Sequence, residues 1–111
     1  GGKWDEIIDN LHYISGLPFL HDVVLSFVVQ HDNYKEMHDF YKLGESIFGT
    51  TNKNWRIFYN RVVNWGTFTK KQFNEVDICD NNHPEHKEFL IEYNKLAHLE
   101  RISHNMPVNG I

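Results

Sequence analysis

Eight of the 111 residues are histidines, at His12, His21, His31, His38, His83, His86, His98 and His104, and three of these are followed by aspartate, as His21-Asp22, His31-Asp32 and His38-Asp39. Imidazole and carboxylate together can ligate a metal ion or move a proton. Neighbouring residues on a helix point about 100° apart, so a His-Asp pair meets one ion only when other helices supply the remaining ligands. His83 and His86, three positions apart, could share one face near a helix start. They lack an identifiable third ligand, and catalytic zinc takes three from the protein. No metal and no other cofactor is therefore assigned, and solvated or hydrogen-bonded histidines are the expectation. The formal charge is −4 with histidine neutral. Protonating all eight would bring it to about +4, which makes solubility and docking pH dependent.

A second group is chemically distinct. Between Glu45 and Glu75 there is no acidic side chain, and the stretch holds Lys53, Arg56, Arg61, Lys70 and Lys71 among Phe48, Trp55, Phe58, Tyr59, Trp65, Phe68 and Phe73. With these five of the 11 Lys and Arg set aside, six bases face 15 acids in the rest of the chain. Such a separation of sign suits docking onto another surface. Phosphate backbones reward several bases on one face and aromatic rings stack on unpaired bases, while an acidic protein surface needs fewer charges. The plainer account is an amphipathic helix with a core of aromatics and a solvated basic side.

Covalent chemistry has less support. Cys79 is the only cysteine, which excludes an internal disulfide and fits a reducing, intracellular compartment. Asp77 and Asp80 beside it would raise the thiol's pKa. No serine lies in a nucleophile context, and no carboxylate pair stands out. An all-α chain with His-Asp dipeptides resembles the HD-type metal phosphohydrolases, whose adjacent His and Asp join another His and a distant Asp around a metal. The resemblance covers two residues at a time and implies a metal-dependent phosphohydrolase.

The elements that must position these groups read as helices. Trp4, Ile7, Ile8, Leu11 and Ile14 recur at helical spacing, with Asp5 and Glu6 in the first turns and Gly16 to end the helix. Phe19, Leu20, Val23, Val24, Leu25, Phe27, Val28 and Val29 cover nearly every face of a helix from Pro18 to about Gln30, as expected of a central element. A strand over Val23 to Val29 competes through its β-branched content but shows no period-2 alternation. Asn33 and Glu36 have capping-box spacing before a third helix with Tyr34, Met37, Phe40 and Tyr41 inward. Trp55, Phe58, Tyr59, Val62 and Trp65 form a fourth, stopped by Gly66, and Thr69 with Gln72 opens a short fifth. The last enters through Pro84 and Glu85, carries Phe89, Leu90, Tyr93, Leu96 and Ala97, and frays or becomes extended beyond Ala97.

The expected fold is thus all-α, a bundle of five or six helices forming one domain over residues 3–104. Gly1-Gly2 reads as an expression-vector remnant and 105–111 as a loosely ordered tail. The run from Phe19 to Val29 is too short for a membrane span of about 20 residues. The function that fits best is a non-catalytic intracellular interaction module, an adaptor, regulator or inhibitor of the kind viruses and mobile elements encode. It would bind a protein partner through Lys53, Arg56, Arg61, Lys70 and Lys71. The alternative is a nucleic-acid-binding regulator with a helix-turn-helix-like region from Trp55 to Ala97, although Glu85, Glu88 and Glu92 on the reading helix would sit poorly beside phosphates.

Overall fold

The computed structural model describes residues 2–107, and it is a mixed α/β fold rather than an all-α bundle. Helix α1 (Gly2–Ser15) leads to strand β1 (Asp22–Val29), a 3₁₀ turn (Tyr34–Glu36), α2 (Met37–Phe48), β2 (Asn54–Arg61), α3 (Lys70–Val76), α4 (His86–Asn94) and β3 (Ile102–His104). The three strands form one sheet in the order β1-β2-β3, parallel throughout, with Val23 opposite Trp55 and Ile57 opposite Ile102. Parallel neighbours require crossovers, which α2 supplies between β1 and β2, and α3 with α4 between β2 and β3.

Two of the expected helices are therefore strands. The proposed central helix at residues 18–30 is β1, and the aromatic, basic helix from Trp55 is β2. Along β1 burial alternates strictly: Val23, Leu25, Phe27 and Val29 face the core, while Asp22, Val24, Ser26 and Val28 face outward. The alternation is invisible in residue type because Val24 and Val28 are apolar and yet 61% and 45% exposed. Five residues of the eight-residue strand are β-branched or aromatic valines and phenylalanine, which suit a pleated strand and lose side-chain freedom in a helix. In β2 the buried Trp55, Ile57 and Tyr59 alternate with Arg56, Phe58 and Asn60.

The inward rows of β1 and β2 join one core cluster with Leu11 of α1, with Met37, Phe40, Tyr41, Ile47 and Phe48 of α2, and with Phe89 and Tyr93 of α4. The spacing 37, 40, 41, 44, 47, 48 places one stripe of α2 on the sheet. Gly44 allows that approach, because a Cβ there would lie 3.2 Å from Trp55 Cζ3 and 3.4 Å from Ile57 Cδ1. The Tyr59 hydroxyl donates to the Met37 carbonyl at 2.8 Å, and burial raises its pKa far above the ordinary value. Helices α1, α2 and α4 thus lie on one face of the sheet. The other face, with Val24, Ser26, Val28, Arg56, Phe58 and Asn60, carries no helix among the described residues, whereas parallel sheets are usually covered on both sides.

Other local expectations hold or shift. The first helix and the helix after residue 36 form, and the Thr69–Gln72 capping box is present on both sides. Asn33 caps no helix. Its Oδ1 accepts from the Gln30 N–H at 3.0 Å and its Nδ2 donates to the Val28 carbonyl at 2.8 Å. The chain beyond Ala97 becomes the extended β3. In the segment read as a tail, Asn105 Oδ1 accepts from the Arg61 N–H at 2.7 Å and Met106 is buried, while 108–111, like Gly1, lies outside the described residues.

Candidate functional site

The basic and aromatic middle is divided by the fold. Its first half builds β2 and the core; its second half, residues 63–76, leaves the body. Val63, Asn64, Trp65, Gly66 and Thr67 are exposed, and α3 contains no buried residue. Trp65, at 87%, is the most exposed large hydrophobic side chain of the described residues. It is nevertheless held locally. Asn64 Oδ1 accepts from the Gly66 N–H at 2.9 Å and the Phe68 N–H at 3.3 Å, and its Nδ2 donates to the Phe68 carbonyl at 3.1 Å. Gly66 takes φ +92°, a left-handed conformation that favours glycine. The Phe68 and Phe73 rings meet at 6.1 Å and brace the turn against α3.

Lys70, Lys71, Asn74 and Glu75 of α3 form one wall of a cleft of about 820 Å³. The opposite wall is His31, just beyond the C-terminal end of β1, with His83, Pro84 and Glu85 ahead of α4. Main-chain and side-chain bonds fix the base of the projecting segment. The His31 N–H donates to the Val76 carbonyl at 2.9 Å. His83 Nδ1 accepts from the Glu85 N–H at 3.0 Å, so its Nε2 carries the proton and donates to the Glu75 carbonyl at 2.8 Å.

Within the cleft His31 Nε2 bonds Glu85 Oε2, and Tyr34 donates to Glu85 Oε1 at 3.3 Å. The hydrogen bond from His31, opposed in part by desolvation, holds the Glu85 carboxyl below its ordinary pKa. On its other side His31 Nδ1 lies 3.5 Å from Asp32 Oδ1. Both ring nitrogens thus face carboxylates of the protein, Nε2 in a hydrogen bond with Glu85 and Nδ1 at ion-pair distance from Asp32.

The five bases singled out in the sequence are divided among different local settings. Lys53 Nζ donates to the Leu17 carbonyl and, at 2.7 Å, to the Leu20 carbonyl, tying down the approach to β1. Arg61 binds Asp77 through two parallel bonds, Nε to Oδ1 at 3.1 Å and Nη2 to Oδ2 at 2.7 Å. Arg56 stands on the bare face of the sheet, and only Lys70 and Lys71 share a surface, on α3. The expected helix-turn-helix does not exist, since its first element is β2. The three His-Asp dipeptides lie apart, at the start of β1, after β1 and within α2. Among the described residues no three His, Cys, Asp or Glu side chains converge as metal ligands, and no helix is long and apolar enough to cross a membrane.

Cys79 is buried behind Asp77, and desolvation, reinforced by Asp77, pushes its thiol up to about 12. A maleimide at pH 8 is expected to leave native Cys79 unmodified over hours and to label it within minutes in denaturant. Rapid native labelling, read by intact mass, would contradict this burial.

No protein-family model, curated protein or solved structure matches this chain. Sequence reading missed His31, Glu85 and Asn64 as organising residues. The signal for Asn64 was its place two residues before Gly66, an arrangement typical of a side-chain-closed turn; His31 and Glu85, 54 positions apart, left no local trace.

Proposed function

We propose that this protein is a non-catalytic intracellular module that binds another protein through the projecting segment 63–76. Trp65 is the anchor, and Lys70 and Lys71 draw in an acidic partner surface. The observation that carries this reading is an indole 87% exposed on a turn that Asn64 closes through hydrogen bonds to Gly66 and Phe68. Tryptophan dominates binding energy where it is buried on association, and a preformed turn loses little freedom in doing so. Lys70 and Lys71 have no acidic partner among the described residues, so their charge is available for steering. Nucleic acid is the weaker alternative. Arg61 is neutralised and Lys53 is held by carbonyls, which leaves fewer cations than the 6–10 phosphate contacts typical of a duplex binder.

Capture from the native host, quantified by mass spectrometry, tests the proposal with three baits: the wild-type chain, Trp65→Ala and the Lys70→Glu/Lys71→Glu pair. A partner retained by the wild type is expected to lose about 30-fold in affinity with Trp65→Ala and to be lost with the charge reversal, while the thermal midpoint of each variant is unchanged. A partner retained equally by all three baits removes segment 63–76 from consideration. Nuclease-sensitive capture favours the nucleic-acid alternative instead.

A further inference from the structure

β1 lies at one edge of the sheet. The Asn54 N–H donates to the His21 carbonyl at 2.7 Å, and Asp22 stands opposite Asn54 in the register. In a parallel ladder this sets the phase. Main-chain groups of Val23, Leu25, Phe27 and Val29 turn toward β2, and those of Asp22, Val24, Ser26 and Val28 turn outward. Asn33 Nδ2 occupies the Val28 carbonyl, so the open length of the edge runs from Asp22 to the Val28 N–H. Long apolar edges of this kind are usually shortened, charged or covered.

A cavity of about 390 Å³ lies along this edge. It is lined by Ser26, Phe27 and Val28 together. The side chain of Phe27 points to the opposite face from those of Ser26 and Val28, so a space touching all three reaches the outer margin of the strand. Trp4 and Ile7 of α1 and Phe40 of α2 form its floor, with Glu36 also in the lining. Trp4 and Ile7 are only half-buried, and an apolar floor beside an unpaired strand is what an additional strand would cover.

We propose that the outer edge of β1 takes up an extended peptide from a partner protein as a fourth strand. One bulky apolar side chain of that peptide enters the space above Trp4, Ile7 and Phe40, and basic side chains meet Glu36 at one end and Asp22 at the other. Main-chain bonds to Val24 and Ser26 supply affinity, and the cavity with its two flanking acids selects the sequence. A second copy of this chain fits less well. Two β1 strands pairing about a twofold axis would place both helical layers on one side of the joined sheet. The α1 helices, each carrying exposed Asp5, Glu6 and Asp9, would then contest the same space with like charge.

The test uses a fluorescein-labelled heptapeptide, Lys-Val-Thr-Leu-Thr-Val-Lys, with blocked ends, titrated with the intact protein and read by anisotropy. Saturable binding is expected, with slowed amide exchange at Val24 and Ser26. Two N-methylated versions keep the protein unaltered: methylation on one alternate set of residues, which faces β1, should weaken binding at least about tenfold, and methylation on the other set should leave it nearly unchanged. Ser26→Pro removes an outward N–H and no internal ladder bond, so it should fold normally and lose affinity to a similar extent. Absence of saturable binding, or equal binding of both methylated peptides, overturns the proposal. A concentration-dependent dimer in ultracentrifugation that excludes the peptide overturns it in favour of self-pairing.

Discussion

Replacing Arg61 with methionine is expected to destabilise the protein by roughly 2–3 kcal/mol, because it leaves the buried Asp77 carboxylate without its partner; the Arg61 side chain is 35% exposed, so the penalty falls below that of a fully buried pair. Asp77 is 3% exposed and both of its carboxylate oxygens bond the guanidinium. The same bonds raise the Arg61 pKa above its ordinary value, which is the reciprocal sign of the stabilisation. Adding Asp77→Asn should restore part of the loss at pH 7. Urea unfolding at pH 7 checks both statements; an unfolding free energy for Arg61→Met within about 1 kcal/mol of wild type would show that the pair is not a keystone between β2 and the residues after α3.

Trp55→Ala is expected to cost roughly 3–5 kcal/mol, as for other large-to-small changes of a buried aromatic. The indole is 3% exposed, lies 5.5 Å from the Tyr41 ring, and has the Arg101 guanidinium 5.1 Å above it. Arg101 also donates to the Trp55 carbonyl at 2.9 Å, and its own carbonyl accepts from the Ile57 N–H at 2.8 Å. Loss of the indole thus loosens both α2 on the sheet and the entry of β3. The thermal midpoint should fall by at least about 12 °C for a domain of this size, whereas Trp65→Ala, from the same stretch of sequence, should leave it within about 2 °C. Equal effects at the two positions would mean that the core and the projecting segment have been assigned the wrong way round.

That contrast shows where sequence reasoning succeeded and where it failed. Helices α1 and α2 were legible because each buries one stripe and wets the other, and the capping box at Thr69 was legible because it is a bond between residues three apart. β1 was misread because its outward row contains Val24 and Val28, so a strict alternation of burial was written in residues of one type. β2 was misread for the complementary reason. Trp55, Phe58, Tyr59 and Val62 fall at helical spacing by coincidence, while the buried residues within β2 are Trp55, Ile57 and Tyr59. The β-branched content of residues 23–29 was the better guide, and parallel strands often read as continuous apolar runs.

By itself the sequence determined the charge polarity, the apolar stripes of α1 and α2 and the residues at the start of α3, all properties of composition or of contacts within a few positions. Tertiary structure decided which bases remain available, since Lys53 meets carbonyls more than 30 residues away and Arg61 meets an aspartate across a crossover. It also decided which tryptophan is core and which is surface. Both outcomes depend on strand pairing between distant segments, and a parallel sheet forms from contacts that no local window of the chain contains.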